Sequence, residues 1–168
     1  ICNQSQDSST SAANFIGQGE YCPTIKELPP SDVTCITTPD DLISLCCEEL
    51  SENPFLKKGS IILHCSGTLN SDALSVIRKA GCYIASIHPM RSFAKPKLSV
   101  EQFKGTYCAI EGDKEAVQMT RYLFDAIGSI IYVIDKNKKS LCLDLYLKKI
   151  LLQPNLKELK ALLSRNLP

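Results

Sequence analysis

Two histidines, the only ones in the chain, each close an apolar run that is typical of a β-strand. His64 is followed by Cys65-Ser66-Gly67, and His88 is followed by Pro89-Met90-Arg91. A third apolar run ends in Thr37-Thr38-Pro39-Asp40. In open α/β sheets, ligands bind beyond the carboxyl ends of the strands. The sequence therefore predicts one site at which these three strand ends meet.

Simpler explanations exist for each of these residues. A histidine that closes a strand often bonds a loop carbonyl, Ser66-Gly67 is a common turn, and Asp40 and Asp72 suit helix caps. A serine hydrolase is disfavoured because the sequence has no glycine at the first position of G-x-S-x-G. A Cys65 nucleophile with His88 as its base is conceivable. No zinc-ligand spacing and no phosphate-binding loop are present, so no metal site is expected.

The elements that would carry these residues alternate along the chain. Apolar runs indicate strands, and 3.6-residue periodicity indicates helices between them. The strands are expected at 33–37, 60–64, 82–87, 106–110 and 129–134, the helices at 12–16 and after 40, 71 and 113, and loops at 5–11 and 90–104. This alternation predicts an α/β sheet with parallel strand pairing and helices on both faces.

Composition sets the class of protein. The chain has 168 residues with 19 Lys+Arg against 18 Asp+Glu, a net charge of +1, which favours neither nucleic acid nor acidic membranes as partners. Nine cysteines at scattered positions, with no C-x-x-C, indicate reduced thiols and a cytoplasmic location. No apolar run approaches the roughly 20 residues that span a bilayer.

Beyond Asp135 the sequence changes character. Lys136, Lys138 and Lys139 form a basic cluster, and two helical stretches are expected at 140–152 and 156–165, the second with a leucine stripe. We therefore predict a domain over 1–135 and a short helical tail over 136–168.

The three strand ends also resemble the motifs of one family. Residues 64–74 are similar to H-[TC]-S-G-x-x-x-S-D-x-L, residues 86–93 to S-x-H-P-[LM]-x-[ST]-F, residues 105–113 to G-[TS]-x-x-x-[IV]-E-G-D, and Thr38-Pro39-Asp40 to its V-P-D-D. This is a bacterial Rossmann-like family with a C-terminal helical domain, assigned as NADP-dependent oxidoreductases. It is related to pyrroline-carboxylate reductase, ketopantoate reductase and prephenate dehydrogenase.

The resemblance implies a role for each group of residues. A dinucleotide would contact the end of the second family strand and the Thr37–Asp40 loop, namely Asn3, Gln4, Ser5, Thr37, Thr38, Pro39 and Asp40. His88 and Ser66 would be catalytic, and the substrate would contact His64, Cys65, Gly67 and Arg91. NADP is preferred over NAD because Asn3-Gln4-Ser5 carries no carboxylate to bond the ribose hydroxyls of NAD.

The chain departs from the family at both ends. The family's first strand and its G-x-G-x-x-G turn would lie upstream of residue 1, and Ile1-Cys2-Asn3 resembles the end of the second strand. Gly17-Gln18-Gly19 follows a predicted helix rather than a strand, so it does not replace that turn. Most of the helical domain, with its Tyr-His pair, is also missing. The expected fold is thus a Rossmann-like, mostly parallel sheet that is incomplete at its N-terminus.

Two classes of function follow. The first is an NAD(P)-dependent oxidoreductase, or a fragment of one, that acts on a small carbonyl, imine or hydroxy acid. The second is a non-catalytic α/β module that binds a metabolite, a nucleotide or a partner protein through the leucine-striped tail. The unpaired sheet edge left by a missing strand would favour a homodimer.

Overall fold

The computed structural model describes residues 1–140, and they form a five-stranded sheet with the strand order β1-β2-β3-β4-β5. The strands are β1 (Val33–Ile36), β2 (Ile61–His64), β3 (Tyr83–Pro89), β4 (Tyr107–Gly112) and β5 (Ile130–Val133). β1, β2 and β3 run parallel, and β4 and β5 run parallel to each other. The predicted α/β, mostly parallel Rossmann-like sheet is confirmed.

One strand pair differs from the expected parallel arrangement, because β3 and β4 are antiparallel. Their connection contains only the short helix α3 (Pro96–Glu101) and does not cross the sheet. Instead the Met90 amide donates to the Tyr107 carbonyl at 2.8 Å, so β4 begins beside the point where β3 ends. Parallel neighbours need a long crossover, usually a helix packed on the sheet. Residues 90–104 therefore form a loop, as expected, except for the short helix α3 within it.

Helices cover both faces of the sheet, as predicted. One face carries α2 (Asp40–Ser51) and a 3₁₀ helix (Ser71–Ala80), and the other carries α4 (Lys114–Ala126). Successive strand residues point to opposite faces, so β2 contributes Ile62 to the first core and Ile61 and Leu63 to the second. The first core consists of Ile36, Ile43, Cys47, Leu50, Ile62, Leu74, Ile77, Cys82 and Ile84. The second consists of Ile61, Leu63, Ala85, Ile87, Cys108, Ile110 and Ala116.

The antiparallel junction depends on a glycine. Gly112, the last residue of β4, has φ 141°, a value that L side chains rarely adopt. A Cβ at this position would lie 2.3 Å from the Ile84 carbonyl oxygen and 2.6 Å from the Ala85 Cα. Only glycine lets β4 approach β3 this closely before the chain turns into α4.

Several local expectations are wrong. Residues 5–11 are not a loop, because α1 (Gln6–Ile16) begins there, with Ser5 and Ser8 forming a reciprocal capping box. Residues 1–3 lie outside any strand, and the Ile1 carbonyl accepts from the Cys22 amide at 2.9 Å. Asp40 and Asp72 are not N-caps, since the cap positions are Pro39 and Asn70.

Other expectations fall outside the described range or stay open. The two expected tail helices and the leucine stripe fall almost entirely beyond residue 140, outside the described residues. The part of the tail that the structure describes contains a 3₁₀ turn at Lys136–Lys138. The boundary at 136 stays a prediction. No helix of the described portion is both long enough and apolar enough to cross a membrane.

Candidate functional site

The loops after β1 and β2 meet at the carboxyl edge of the sheet, as the sequence predicts. The Ser66 hydroxyl donates to Asp40 Oδ2 at 2.8 Å, and the Thr68 hydroxyl donates to the same oxygen. Asp40 is the first residue of α2, and its carboxylate is used across the loop contact rather than to cap its own helix. This contact fixes the Thr37–Asp40 segment against the loop at 65–68.

Ser66 organises its own loop. Its hydroxyl oxygen accepts from the Thr68 amide at 3.1 Å and from the Leu69 amide at 2.9 Å, in addition to its donation to Asp40. A hydroxyl offers one donor and two acceptor sites. All three are engaged, so the Ser66 side chain, which is buried, holds the turn and the Asp40 carboxylate in place.

His64 lies beneath the loop rather than on its surface. Its side chain is fully buried; Nε2 is 3.1 Å from the Asn70 carbonyl oxygen and Nδ1 accepts from the Ser66 amide at 3.2 Å. Burial, together with the nearby Lys139 ammonium, lowers the pKa of His64 to about 4. The imidazole is therefore neutral at physiological pH, and its two ring nitrogens tie the end of β2 to the loop.

His88 occupies the other side of the same loop. A Cβ added to Gly67 would lie 3.0 Å from His88 Nε2 and 3.1 Å from Cε1, so the ring rests directly against the glycine backbone. Burial and the charge of Lys139 lower the pKa of His88, while Asp40 partly opposes this. The half-buried imidazole is thus held neutral beside the Asp40–Ser66 contact.

A buried ion cluster, which the sequence analysis missed, lies under these residues. The Lys139 ammonium donates to the Ser86 hydroxyl and lies 3.9 Å from Glu111 Oε1. Glu111 in turn accepts from the Ser71 amide and hydroxyl, both at 2.7 Å. Lys139, Glu111, Ser86 and Ser71 are all buried. Ser86 Oγ is also 3.4 Å from His64 Nδ1, which links the cluster to the loop.

This cluster sets the local electrostatics. Burial lowers the pKa of Lys139 to about 8, and Glu111 opposes that shift. Slight burial of Asp40 would raise its pKa, but hydrogen bonds from Thr68 and Ser66 and the charge of Lys139 outweigh it and hold the pKa below the ordinary value. Asp40 is therefore an anion at neutral pH. One sequence signal pointed to the cluster: Glu111 is a carboxylate inside an otherwise apolar strand, and such a group needs a buried partner.

The predicted site residues Asn3, Ser5 and Arg91 make their hydrogen bonds away from the Asp40–Ser66 contact. Asn3 and Ser5 make local contacts at the start of α1, where Asn3 Oδ1 accepts from the Gln4 amide and Ser5 caps the helix. The Arg91 guanidinium is bound to Gln102, through its side-chain oxygen at 2.6 Å and its carbonyl. None of these contacts reaches Asp40 or Ser66, so the structure does not bring Asn3, Gln4, Ser5 or Arg91 together with those two residues.

The predicted substrate-contacting residue Cys65 directly precedes Ser66 in the loop after β2. Cys65 is half-buried, and its sulfur is 3.9 Å from that of Cys35. In the described residues, no group of three or more His, Cys, Asp or Glu side chains is placed to hold a metal ion.

The Thr37–Asp40 segment contains a polar group without a hydrogen-bond partner among the described residues. The Thr38 hydroxyl is buried and has no hydrogen-bond partner in the described part of the chain, whereas buried hydroxyls normally have one. An unpaired hydroxyl next to the Asp40 loop suits a polar ligand such as a nicotinamide ribose. Among the described residues, Gly17-Gln18-Gly19 does not form a pyrophosphate-binding turn, because Gly17 ends helix α1 instead of following a strand.

No family model matches this chain, and no curated protein sequence matches it. Solved structures do match in fold. Protein TM1727 from Thermotoga maritima has a TM-score of 0.68 at 23% identity, over 90% of this chain and 57% of that one. A Bacteroides fragilis protein provisionally named an NADP oxidoreductase has a TM-score of 0.72 at 15% identity, over 100% of this chain and 63% of that one.

A third match has a bound cofactor. Prephenate dehydrogenase from Aquifex aeolicus, in complex with hydroxyphenyl propionate and NAD+, has a TM-score of 0.66 at 10% identity, over 90% of this chain and 58% of that one. This chain thus spans 57–63% of the length of these three structures. The chain has the α/β fold found in Rossmann-like NAD(P)-dependent dehydrogenases and oxidoreductases.

Proposed function

We propose that this chain is an NAD(P)-dependent oxidoreductase, or a part of one, and that it carries the substrate groups and the nicotinamide end of the cofactor site. The observation that supports this most is the meeting of Asp40, Ser66 and His88 at the carboxyl ends of three neighbouring strands. This is where ligands bind in open α/β sheets. The substrate would be a small carbonyl, an imine or a hydroxy acid.

The chemistry needs a proton as well as a hydride. A bound nicotinamide cofactor supplies or accepts the hydride, and reduction of a C=O or C=N bond also requires a proton at the heteroatom. His88 suits this chemistry in the oxidative direction, because its neutral, half-buried imidazole lies next to the loop and can accept the proton that the substrate hydroxyl or amine loses as its hydride leaves. In the reductive direction the imidazolium formed by that step returns the proton to the heteroatom.

Ser66 and Asp40 have a different role in this proposal. The Ser66 hydroxyl has no capacity left for a substrate, so we assign it the positioning of Asp40 rather than proton transfer. The Asp40 anion borders the nicotinamide end and would stabilise a partial positive charge on the ring. Thr38 would donate its unpaired hydroxyl to the same end of the cofactor.

Gly67 sets the position of His88. Because the ring rests against the glycine backbone, any side chain at position 67 would push the imidazole away from the Asp40–Ser66 contact. His64 would hold the loop in place through the hydrogen bond that its Nδ1 accepts from the Ser66 amide. NADP over NAD, a cytoplasmic location and a homodimer belong to the same proposal and rest on the sequence alone.

The test is a titration of the full 168-residue chain with NADPH, NADH and reduced nicotinamide mononucleotide, followed by amide and imidazole NMR signals. We expect all three ligands to shift the signals of Thr38, Asp40 and His88. Thr38→Val should weaken the shifts, whereas Ser75→Ala, at an exposed position on the 3₁₀ helix, should not. Absence of any shift at these three residues with all three ligands would overturn the proposal.

A further inference from the structure

Two thiols from neighbouring strands lie side by side at the edge of the sheet. Cys35 is on β1, and Cys65 follows the last residue of β2; their sulfur atoms are 3.9 Å apart. Cys35 is in register with Leu63, and Cys65 is two residues further along, so both side chains point to the same face. Neither residue is in a disulfide.

The pair can also be reached by small molecules. Cys35 is exposed, on the strand that forms one edge of the sheet, and Cys65 is half-buried. By contrast, buried thiols such as Cys47 and Cys108 are enclosed in the two apolar cores and cannot be reached in this way. Accessible thiols next to a second thiol are the ones that exchange with external disulfides.

The electrostatics make the two thiols unequal. The thiol of Cys35 hydrogen-bonds the sulfur of Cys65, and this bond, aided by the charge of Lys139, lowers the pKa of Cys65 against the opposing effect of burial. The same bond raises the pKa of Cys35. Since the thiolate is the attacking form, Cys65 is the nucleophile of the pair and Cys35 is the second thiol.

We propose that Cys35 and Cys65 form a redox modification site that reacts with low-molecular-weight disulfides. The Cys65 thiolate attacks one sulfur of the external disulfide, its S–S bond breaks, and one small thiol leaves after taking up the Cys65 proton. Cys35 then attacks the Cys65 sulfur of the mixed disulfide and releases the second small thiol with the Cys35 proton. Overall, the protein dithiol is oxidised by two electrons and the external disulfide is reduced to two thiols.

Closing the bond requires the two residues to move closer together. The sulfurs must approach from 3.9 Å to about 2.05 Å. Cys35 is held in the β1 ladder, but Cys65 lies beyond the last paired residue of β2, in a loop that contains Gly67. The movement would therefore fall on Cys65 and would pull at the Ser66–Asp40 contact next to it. The reaction itself does not depend on any nucleotide and is independent of the proposed function.

The experiment treats the reduced full-length chain with glutathione disulfide and follows intact mass and non-reducing peptide maps. We expect the chain to lose two hydrogens and a Cys35–Cys65 linked peptide to appear. In Cys35→Ser, the reaction should stop at a mixed disulfide on Cys65, seen as one added glutathione moiety. Cys65→Ser should leave Cys35 unmodified over the same time. Cys46→Ser, which removes another half-buried thiol, is the matched control and should behave like the unaltered chain.

A second measurement does not require the bond to close. Alkylation of Cys65 at pH 7 should be slower in Cys35→Ala, which removes the hydrogen-bond donor, by about threefold for each unit of pKa regained, because tenfold less thiolate is partly offset by greater nucleophilicity. Linkage of either cysteine to a different partner, a stable mixed disulfide in the unaltered chain, or equal alkylation rates in both proteins would each overturn the proposal.

Discussion

The buried ion pair between Lys139 and Glu111 allows a quantitative prediction. At 3.9 Å and an effective dielectric constant of about 20, the two charges attract by roughly 4 kcal/mol. Removing one partner of a buried pair usually costs about 3–5 kcal/mol, since the other charge stays buried without compensation. We expect Glu111→Gln to lower the free energy of unfolding by about 3 kcal/mol, because it removes the carboxylate that pairs with the buried Lys139 ammonium.

The reverse substitution should cost less. In Lys139→Met, the Glu111 carboxylate keeps the two hydrogen bonds from Ser71, which partly compensate its burial. We expect a loss of about 2 kcal/mol for this variant. The double variant should lose less than the sum of the two, by about 2 kcal/mol, because it removes both charges together.

The assay is urea unfolding at pH 7 of the two single variants, the double variant and the unaltered chain, in a double-mutant cycle. Asp125→Asn is the matched control, since it removes a carboxylate from the exposed Arg121–Asp125 pair. That change should cost under about 0.5 kcal/mol. A coupling energy below about 0.5 kcal/mol between positions 111 and 139 would refute the reasoning, because the two charges would then not share one buried environment.

Three further predictions concern the backbone and the loop. Gly112→Ala should cost several kcal/mol, roughly 3 or more, through strain and overpacking, whereas Gly59→Ala, with a positive φ but open space, should cost only about 1 kcal/mol by urea unfolding. The His64 imidazole should stay neutral down to about pH 5 in an NMR titration, because its pKa in the folded chain is about 4; titration near pH 6.5 would contradict this. For the same reason, stability should fall as pH drops from about 6.5 toward 4, by up to about 1.4 kcal/mol per unit, and His64→Gln should flatten that slope. Ser66→Ala should cost about 1–2 kcal/mol and shift the Asp40 carboxyl signal to a higher pKa, and an unchanged Asp40 titration would count against its positioning role.

Local pattern was enough to predict most of the architecture. Strand residues such as Ile61–His64 form an unbroken apolar run, and α4 repeats its buried positions at helical spacing, so neighbouring residues alone indicate the element type. The polar ends of β1 and β2 could be predicted to meet because parallel strands place their carboxyl ends at one edge. The sequence by itself therefore determined the α/β class and the place of the candidate site.

Only the tertiary structure decided which groups at that place are paired. The sequence shows Lys139 as one member of a basic run, and it shows His64 and His88 only as residues that close two strands. In the fold, Lys139 reaches Ser86 across 53 residues, and Glu111 reaches Ser71 across 40. Such contacts depend on how whole elements pack, because a charged side chain is buried only where a distant partner offsets its loss of hydration.

The antiparallel β3–β4 pair has the same origin. The two strands run antiparallel because their connection does not cross the sheet and because Gly112 packs closely against Ile84. Neither feature produces a hydrophobic periodicity that could be recognised in the sequence. Spacing along the chain records what each segment prefers locally. The partner that completes a strand edge or a buried charge is chosen by long-range packing, and this is why the ion cluster and the Cys35–Cys65 pair became visible only in the folded chain.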